Sequence, residues 1–437
     1  MSSFTFYGIT EDRPGPRWQA LFDAVWPGYR AWYLRDGDAA RPDLATAERM
    51  LRTHMPELVP TWRRLVELAR GDETAARMLT LWNPPRFLPG CSQVALRAPE
   101  PALLRNYDYG LELFEQVHSS TRYGSRRVIG TSDCLWGLLD GMNDDGLAIS
   151  LAFGGRPGDG DGFAAPLVVR YLLETAGDVS EALRRLETIP VSMFYNLTLV
   201  DASGAAATAY VGPGMRPEVR EEQVATNHRG RRPEFPEHAR RFRSVERQEL
   251  LSDVVRCGGG VAEVAEAMLG PGVFSHDYDN AFGTLYTAVY LPLRGEVQYR
   301  WPGRSWTRSL SSTEETITVT LDDAPETRDH AAPLGAGADA GTGTSTAQTS
   351  PADAEAGASD TSALAASVAE LQAAARRAVD GLAHSPDPAA FSALLALSAE
   401  VGEALGTSAR LLAERNSWAR VAELADVSRQ AAWHRWR

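Results

Sequence analysis

The chain has no lysine. All 44 of its basic residues are arginines, set against 57 aspartates and glutamates over 437 residues. That excludes a lysine Schiff base and a lysine general base. The formal net charge of −13 does not favour nucleic acid or an anionic membrane as a bulk partner. Cysteine is almost as scarce. Cys91, Cys134 and Cys257 are odd in number and unclustered, which argues against a disulfide framework or a zinc site. No run reaches the roughly 20 apolar residues of a membrane span. The start, Met1-Ser2-Ser3-Phe4-Thr5-Phe6, lacks the basic and apolar pattern of a signal peptide. From these absences we expect a cytoplasmic protein with no membrane partner.

What is present has the balance of a soluble globular protein, 44% hydrophobic and 23% charged, and the length suits two or three domains. Residues 15–82 read as helical: Trp18, Leu21, Phe22, Val25 and Trp26 recur at helical spacing, as do Leu58, Trp62, Leu65, Val66 and Leu68. Asp43 and Asp72 are N-cap candidates, and Asn83-Pro84-Pro85 closes this part. Short β-rich runs then follow at 92–98, 102–108, 112–119, 146–153, 193–201, 206–211, 284–291 and 295–301. Helical stretches lie at 165–176, 179–188, 237–255 and 260–269. Strands and helices in blocks predict an α+β layered fold rather than a doubly wound one. Residues 324–362, rich in Ala, Gly, Thr, Ser, Asp and Pro, cannot bury enough surface to offset their ordering entropy and read as a disordered linker. Beyond it, 363–437 is alanine- and leucine-rich and helical, with 8 arginines against 8 acids.

Chemistry concentrates at a Gly-Cys junction, Gly90-Cys91, followed by a strand. A buried structural cysteine is the plain alternative for Cys91. A glycine in front of it lets the backbone reach strained conformations that bring the thiol onto the Gly90 carbonyl. Attack there, then hydrolysis, would free a Cys91 amine with an intrinsic pKa near about 8, able to act as a local base. Downstream stand Arg105-Asn106-Tyr107-Asp108, Gly141-Met142-Asn143-Asp144-Asp145-Gly146-Leu147, Tyr195-Asn196-Leu197-Thr198-Leu199-Val200-Asp201, Ala225-Thr226-Asn227-His228, Arg240-Arg241-Phe242-Arg243 and Phe282-Gly283-Thr284-Leu285-Tyr286. The Asn-Asp-Asp-Gly turn is also a hairpin signal in its own right.

In that order, over about 85–305, these motifs resemble the acyl-CoA:6-aminopenicillanic acid acyltransferase-like family of self-cleaving, cysteine-type N-terminal nucleophile hydrolases. The resemblance implies a four-layer αββα sandwich with an N-terminal helical segment. It implies residues 1–90 as a pro-segment that stays bound, 91–323 as the catalytic chain, and no cofactor. It also implies roles: Cys91 as nucleophile, Arg105 beside the thiolate, Asp108 orienting the amine, and Asn143 and Asn227 as oxyanion donors. Such a donor is worth about 3–4 kcal/mol of barrier. From the arginine run it implies Arg241. The substrate would be a small acylated amide or thioester, acyl-CoA among them, and the product of cleavage an αβ heterodimer able to assemble further. His228 reads as structural or substrate-facing, since the amine fills the base role.

The C-terminal Ser417–Trp436 resembles a helix-turn-helix, with helices at about 418–425 and 428–436. Ser428, Arg429, Gln430, His434 and Arg435 would face a DNA groove. A helical hairpin for dimerisation fits the neutral charge as well. The functional expectation is an autoproteolytic cysteine amidase or acyltransferase. The rival is a DNA-binding regulator that senses a small acylated ligand without turnover.

Overall fold

The computed structural model describes residues 2–86, 90–230, 233–278, 282–321, 407–413 and 417–425. The chain divides into two units, Met1–Thr327 and Arg328–Arg437. The expected linker lies outside the described residues.

Two sheets organise the first unit. The nine-stranded sheet contains β1 (Ser2–Glu11), β4 (Val117–Thr121), β5 (Val128–Asp133), β6 (Gly137–Asn143), β7 (Ala148–Phe153), β8 (Tyr195–Val200), β9 (Ala206–Val211), β10 (Glu218–Arg220) and β16 (Glu315–Leu321). Their order is β10-β9-β8-β7-β6-β5-β4-β1-β16. The second sheet runs β11 (Val224–Ala225), β2 (Gly90–Leu96), β3 (Ala102–Tyr109), β13 (Phe282–Leu291), β14 (Glu296–Trp301) and β15 (Arg304–Ser309), with β12 (His276–Asp277) against β13.

Strand alternation assigns the faces. Cys91, Ala95, Leu103 and Tyr107 enter a large core shared with Ile149, Leu151 and Leu197 of the other sheet. Val94, Leu96, Leu104 and Val289 point the opposite way, onto Leu251 of α8 (Ser244–Arg256) and Val264 and Met268 of α9 (Val261–Leu269). On the outer face of the nine-stranded sheet, α5 (Ala165–Thr175) packs on β6 and β7, and α6 (Val179–Leu186) follows it. The layers are therefore helix, sheet, sheet, helix, as expected.

The N-terminal segment forms α1 (Pro16–Tyr33), α2 (Leu44–His54), α3 (Val59–Leu68) and α4 (Glu73–Leu79). Asp43 and Asp72 do cap α2 and α4, accepting from Thr46 N at 2.6 Å and Ala75 N at 2.9 Å. Buried Trp18 and Trp136 each find a carbonyl, Leu135 O and Leu79 O, both at 2.9 Å, which ties the segment to the sheet.

Several elements depart from expectation. β1 was not anticipated, yet Phe4 and Phe6 are buried while Tyr7 is exposed, a period of two. β5, β15 and β16 were also missed; β15 and β16 carry too many polar residues to stand out. The strand expected at 112–119 is only Val117–Thr121, because residues 111–113 form a tight turn. The helix expected over 237–255 breaks into α7 (Pro236–Arg241) and α8, with Arg243 between them at φ 47°.

In the second unit residues 407–413 are helical and α10 (Trp418–Ala425) matches the first helix of the expected helix-turn-helix. Ala409 and Val421 are buried, with Leu412 and Trp418 packed beside them. The second helix, with Ser428, Arg429, Gln430, His434 and Arg435, lies outside the described residues.

Candidate active site

Cys91 sits one residue into β2, wholly buried on the face between the sheets. β2 pairs with β3 so that Cys91 lies opposite Tyr107 and Gln93 opposite Arg105. Arg105 is thus two residues along on the same face as Tyr107, and its Nη2 donates to the Cys91 thiol at 3.1 Å. Burial pushes that thiol up to about 11, against the pull of the Arg105 guanidinium. Arg105 is itself fully buried and ion-paired through Nη1 to Asp140 of β6, across the sandwich. Asp140 also accepts from Tyr286 and Tyr290 hydroxyls, both at 2.6 Å, and from Thr131 Oγ1 at 3.0 Å. A buried cation so close to a thiol is tolerable only with such a counter-charge.

The main chain of Cys91 is held from the helix side. Its N–H donates to Asn227 Oδ1 at 3.0 Å, and Arg247 Nη2 donates to the same oxygen at 2.8 Å. Because two donors converge on Oδ1, the orientation of the Asn227 amide is determined, and Nδ2 donates to Phe153 O at 3.0 Å. Arg247 Nη1 reaches Cys91 O and Ser92 Oγ, both at 2.7 Å, and Asp108 Oδ2 at 3.4 Å. Asp108 accepts from Thr284 Oγ1 at 2.7 Å; burial raises its pKa while Arg247 and Thr284 oppose the rise. Gly155, at φ +72°, carries the loop over Asn227, where a Cβ would come within 2.0 Å of Asn227 O.

The structure thus brings Cys91, Arg105, Asp108 and Asn227 together, and leaves two sequence-based candidates out. Arg241 ends α7 on the exposed side, its guanidinium 5.6 Å from the Phe242 ring, and the arginine at the cysteine is Arg247 instead. The left-handed Arg243 restarts the helix, and in the new phase Ser244, Arg247 and Leu251 face inward. Asn143 is the second correction. Strand parity turns it away from Asp140, onto the α5 face. There Nδ2 donates to Leu173 O and Ala176 O at 2.9 and 2.7 Å, and Oδ1 accepts from Asp145 N and Leu147 N at 3.1 and 3.0 Å. All its hydrogen-bonding capacity is engaged in a turn, which leaves nothing for an oxyanion. His228 is buried, with Nδ1 on Ser244 Oγ and Thr226 Oγ1, a structural placement.

Residues 97–306 match the model of the acyl-coenzyme A:6-aminopenicillanic acid acyl-transferase family. This segment belongs to that family. Cys91 lies just outside the matched family residues, whereas Arg105, Asp108, Asn227 and Arg247 lie within them. No curated protein sequence matches the chain. Among solved structures, the chain is similar to a mutant conjugated bile acid hydrolase from Clostridium perfringens, at 13% identity and TM-score 0.38, covering 53% of this chain and 97% of that one. It is also similar to penicillin V acylase from Agrobacterium tumefaciens, at 18% identity and TM-score 0.36, covering 52% and 90%. A third is the Caenorhabditis elegans ortholog of N-acylethanolamine-hydrolyzing acid amidase, at 14% and 0.34, covering 46% and 92%.

Sequence reasoning missed Asp140, Arg247 and Thr284. Asp140 was the findable one: a lone acid inside the apolar strand Gly137–Asn143 needs a buried partner. The loops around 154–164 and 212–236 contribute Asp161 and Met215 to a cleft of about 600 Å³ shared with Met50, His54 and Trp82. Cys91 does not line this cleft.

Proposed function

We propose that the chain is a self-cleaving cysteine amidase or acyltransferase acting on a small acylated amide or thioester. One observation carries this reading. A single bonded set contains the Cys91 thiol on Arg105, the nitrogen of the Gly90–Cys91 peptide on Asn227, and Arg247 joining that asparagine to the Cys91 carbonyl.

In self-cleavage the Cys91 sulfur attacks the Gly90 carbonyl carbon, the peptide C–N bond breaks, and the thiol proton passes to the departing Cys91 nitrogen. Water then hydrolyses the thioester, leaving a Gly90 carboxylate, a free thiol and a Cys91 amine. In turnover that amine takes the thiol proton, the sulfur attacks the substrate carbonyl, and the proton goes on to the leaving group. Asn227 Nδ2 carries a second hydrogen beyond its bond to Phe153 O and serves the developing oxyanion, worth about 3–4 kcal/mol. Asp108, opposite Gly90 in the ladder, orients the new amine through Arg247. Water or an amine accepts the acyl group, and the family description favours an acyl-CoA thioester among the substrates.

The test is the intact mass of the wild type beside Cys91→Ala. We expect two fragments parting between Gly90 and Cys91 in the wild type and one full-length chain in the variant. A wild-type chain that stays whole overturns the reading.

A further inference from the structure

Gly90 was expected to serve by backbone freedom. In the structure it is the first residue of β2, and its φ lies outside the left-handed region. What glycine provides there is empty space. A Cβ on Gly90 would lie 2.1 Å from Phe282 Cε2, 2.8 Å from Cδ2 and 3.1 Å from Cζ. A separation near 2 Å is well inside van der Waals contact, so one of the two must move.

The ring is half-buried, and its neighbours limit where it can move. Phe282 opens β13, whose Thr284 is already bonded to Asp108. Phe242 packs on Phe282 at 4.9 Å between ring centroids, and the Arg247 guanidinium lies 5.5 Å from the Phe282 centroid. Behind Phe242 stand His238 at 4.5 Å and, beyond it, Phe153 at 5.1 Å. Arg247 cannot retreat without releasing Cys91 O, Ser92 and Asn227. The aromatic row thus presses Phe282 onto the Gly90 Cα from the helix side, while the Cys91 thiol approaches from between the sheets.

We infer that Phe282 is a positioning residue for self-cleavage: it clamps the residue before the nucleophile and restricts that position to glycine. The inference rests on the self-cleavage reading above and names a residue outside its bonded set. A side chain at position 90 would push the Gly90–Cys91 peptide off the strand and pull its nitrogen from Asn227, whereas shortening residue 282 should make room for that side chain.

The experiment follows cleavage by intact mass in full-length wild type, Gly90→Ala, Phe282→Val and the double variant, with a melting temperature for each. Valine lacks all three clashing atoms and suits a strand. We expect Gly90→Ala to cleave about tenfold to a hundredfold more slowly than wild type. Phe282→Val, which lacks the clamp, should cleave more slowly than wild type, and the double variant should cleave faster than Gly90→Ala. If Gly90→Ala fails to fold, recovery of both folding and cleavage in the double variant supports the clamp equally. Undiminished cleavage in Gly90→Ala overturns the clamp while leaving the self-cleavage reading intact. So does a double variant that fails to fold or cleaves no faster than Gly90→Ala. A wild type that never cleaves overturns both.

Discussion

Two asparagines separate what a side chain does from where its motif stands. Asn143 and Asn227 both lie in stretches resembling the family's, but Asn143 has four backbone partners in a turn and Asn227 has Cys91. Asn143→Ala should therefore cost about 2–4 kcal/mol of stability, measured by urea unfolding, with little change in the rate of any processed enzyme. Asn227→Ala should lower kcat about a hundredfold or more. Equal kinetic losses in both would restore Asn143 to the site. The arginines divide in the same way. Arg247→Gln should slow cleavage strongly, since it removes a buried cation bonded to Cys91 O, Ser92 and Asn227, whereas Arg241→Gln at the exposed end of α7 should cleave as wild type does. Matching slow cleavage in the two would contradict the assignment of Arg247.

At the scale of elements, the hairpin between β5 and β6 stands out. Cys134 and Leu135 both hold positive φ, 55° and 72°, which non-glycine residues rarely adopt. Tyr29 and Glu115 hold this tip: Cys134 N donates to Tyr29 OH at 2.9 Å, Leu135 N to Glu115 Oε1 at 2.6 Å, and Tyr29 OH to Glu115 at 2.5 Å. Asp133 faces the same group, with the Cys134 thiol at 3.6 Å and Tyr29 OH at 3.3 Å. Burial, then the Glu115 charge, pushes Asp133 from 3.8 to about 7. The folded chain keeps a proton here that the unfolded chain has released. This group's contribution to stability is therefore complete below 3.8 and is lost as pH rises through about 7. Asp133→Asn should flatten that fall: from about pH 5 to about pH 8 its melting temperature should drop by several degrees less than that of the wild type. His118, lowered to about 3 by burial and then by Arg308, acts in the opposite direction but is common to both proteins, whereas Glu115, raised by burial, titrates together with Asp133, so the comparison reports on that carboxyl pair. Parallel curves would place the proton elsewhere.

For the whole molecule the decisive element is β1. It lies inside the nine-stranded sheet, parallel to β4 and antiparallel to β16. Cleavage at Gly90 would leave β1 hydrogen-bonded on both sides, so the two fragments should co-elute in size exclusion and separate only in denaturant. Fragments that part without denaturant would show that β1 is not held as the sheet implies. The contacts that define the site all come from within Met1–Thr327. A chain ending at Thr327 should accordingly fold and self-cleave at the wild-type rate, and loss of cleavage would assign the C-terminal unit a part in it.

Local pattern was enough for much of this molecule. The helical spacing of the first 82 residues, the caps Asp43 and Asp72, the alternation of β2, β3, β7, β8 and β9, and the Gly90-Cys91 junction are all short-range features of neighbouring residues, and they led to the layered fold and to Cys91, whereas Arg105, Asp108 and Asn227 came from the resemblance of their motifs to the family. Tertiary structure decided what depends on residues far apart. β1 is amphipathic on its own but acquires its place only between β4 and β16. Arg241 and Arg247 are alike in type, and only the left-handed Arg243 sets which one turns inward. Asn143 and Asp140 sit three residues apart, and the side of the sheet each occupies determines whether it meets α5 or Arg105. The glycine at position 90 is explained by the ring of Phe282, nearly 200 residues further along the chain. A sequence records residue types and short periods, whereas charge pairing and close contact across a sandwich depend on which faces meet when the sheets pack.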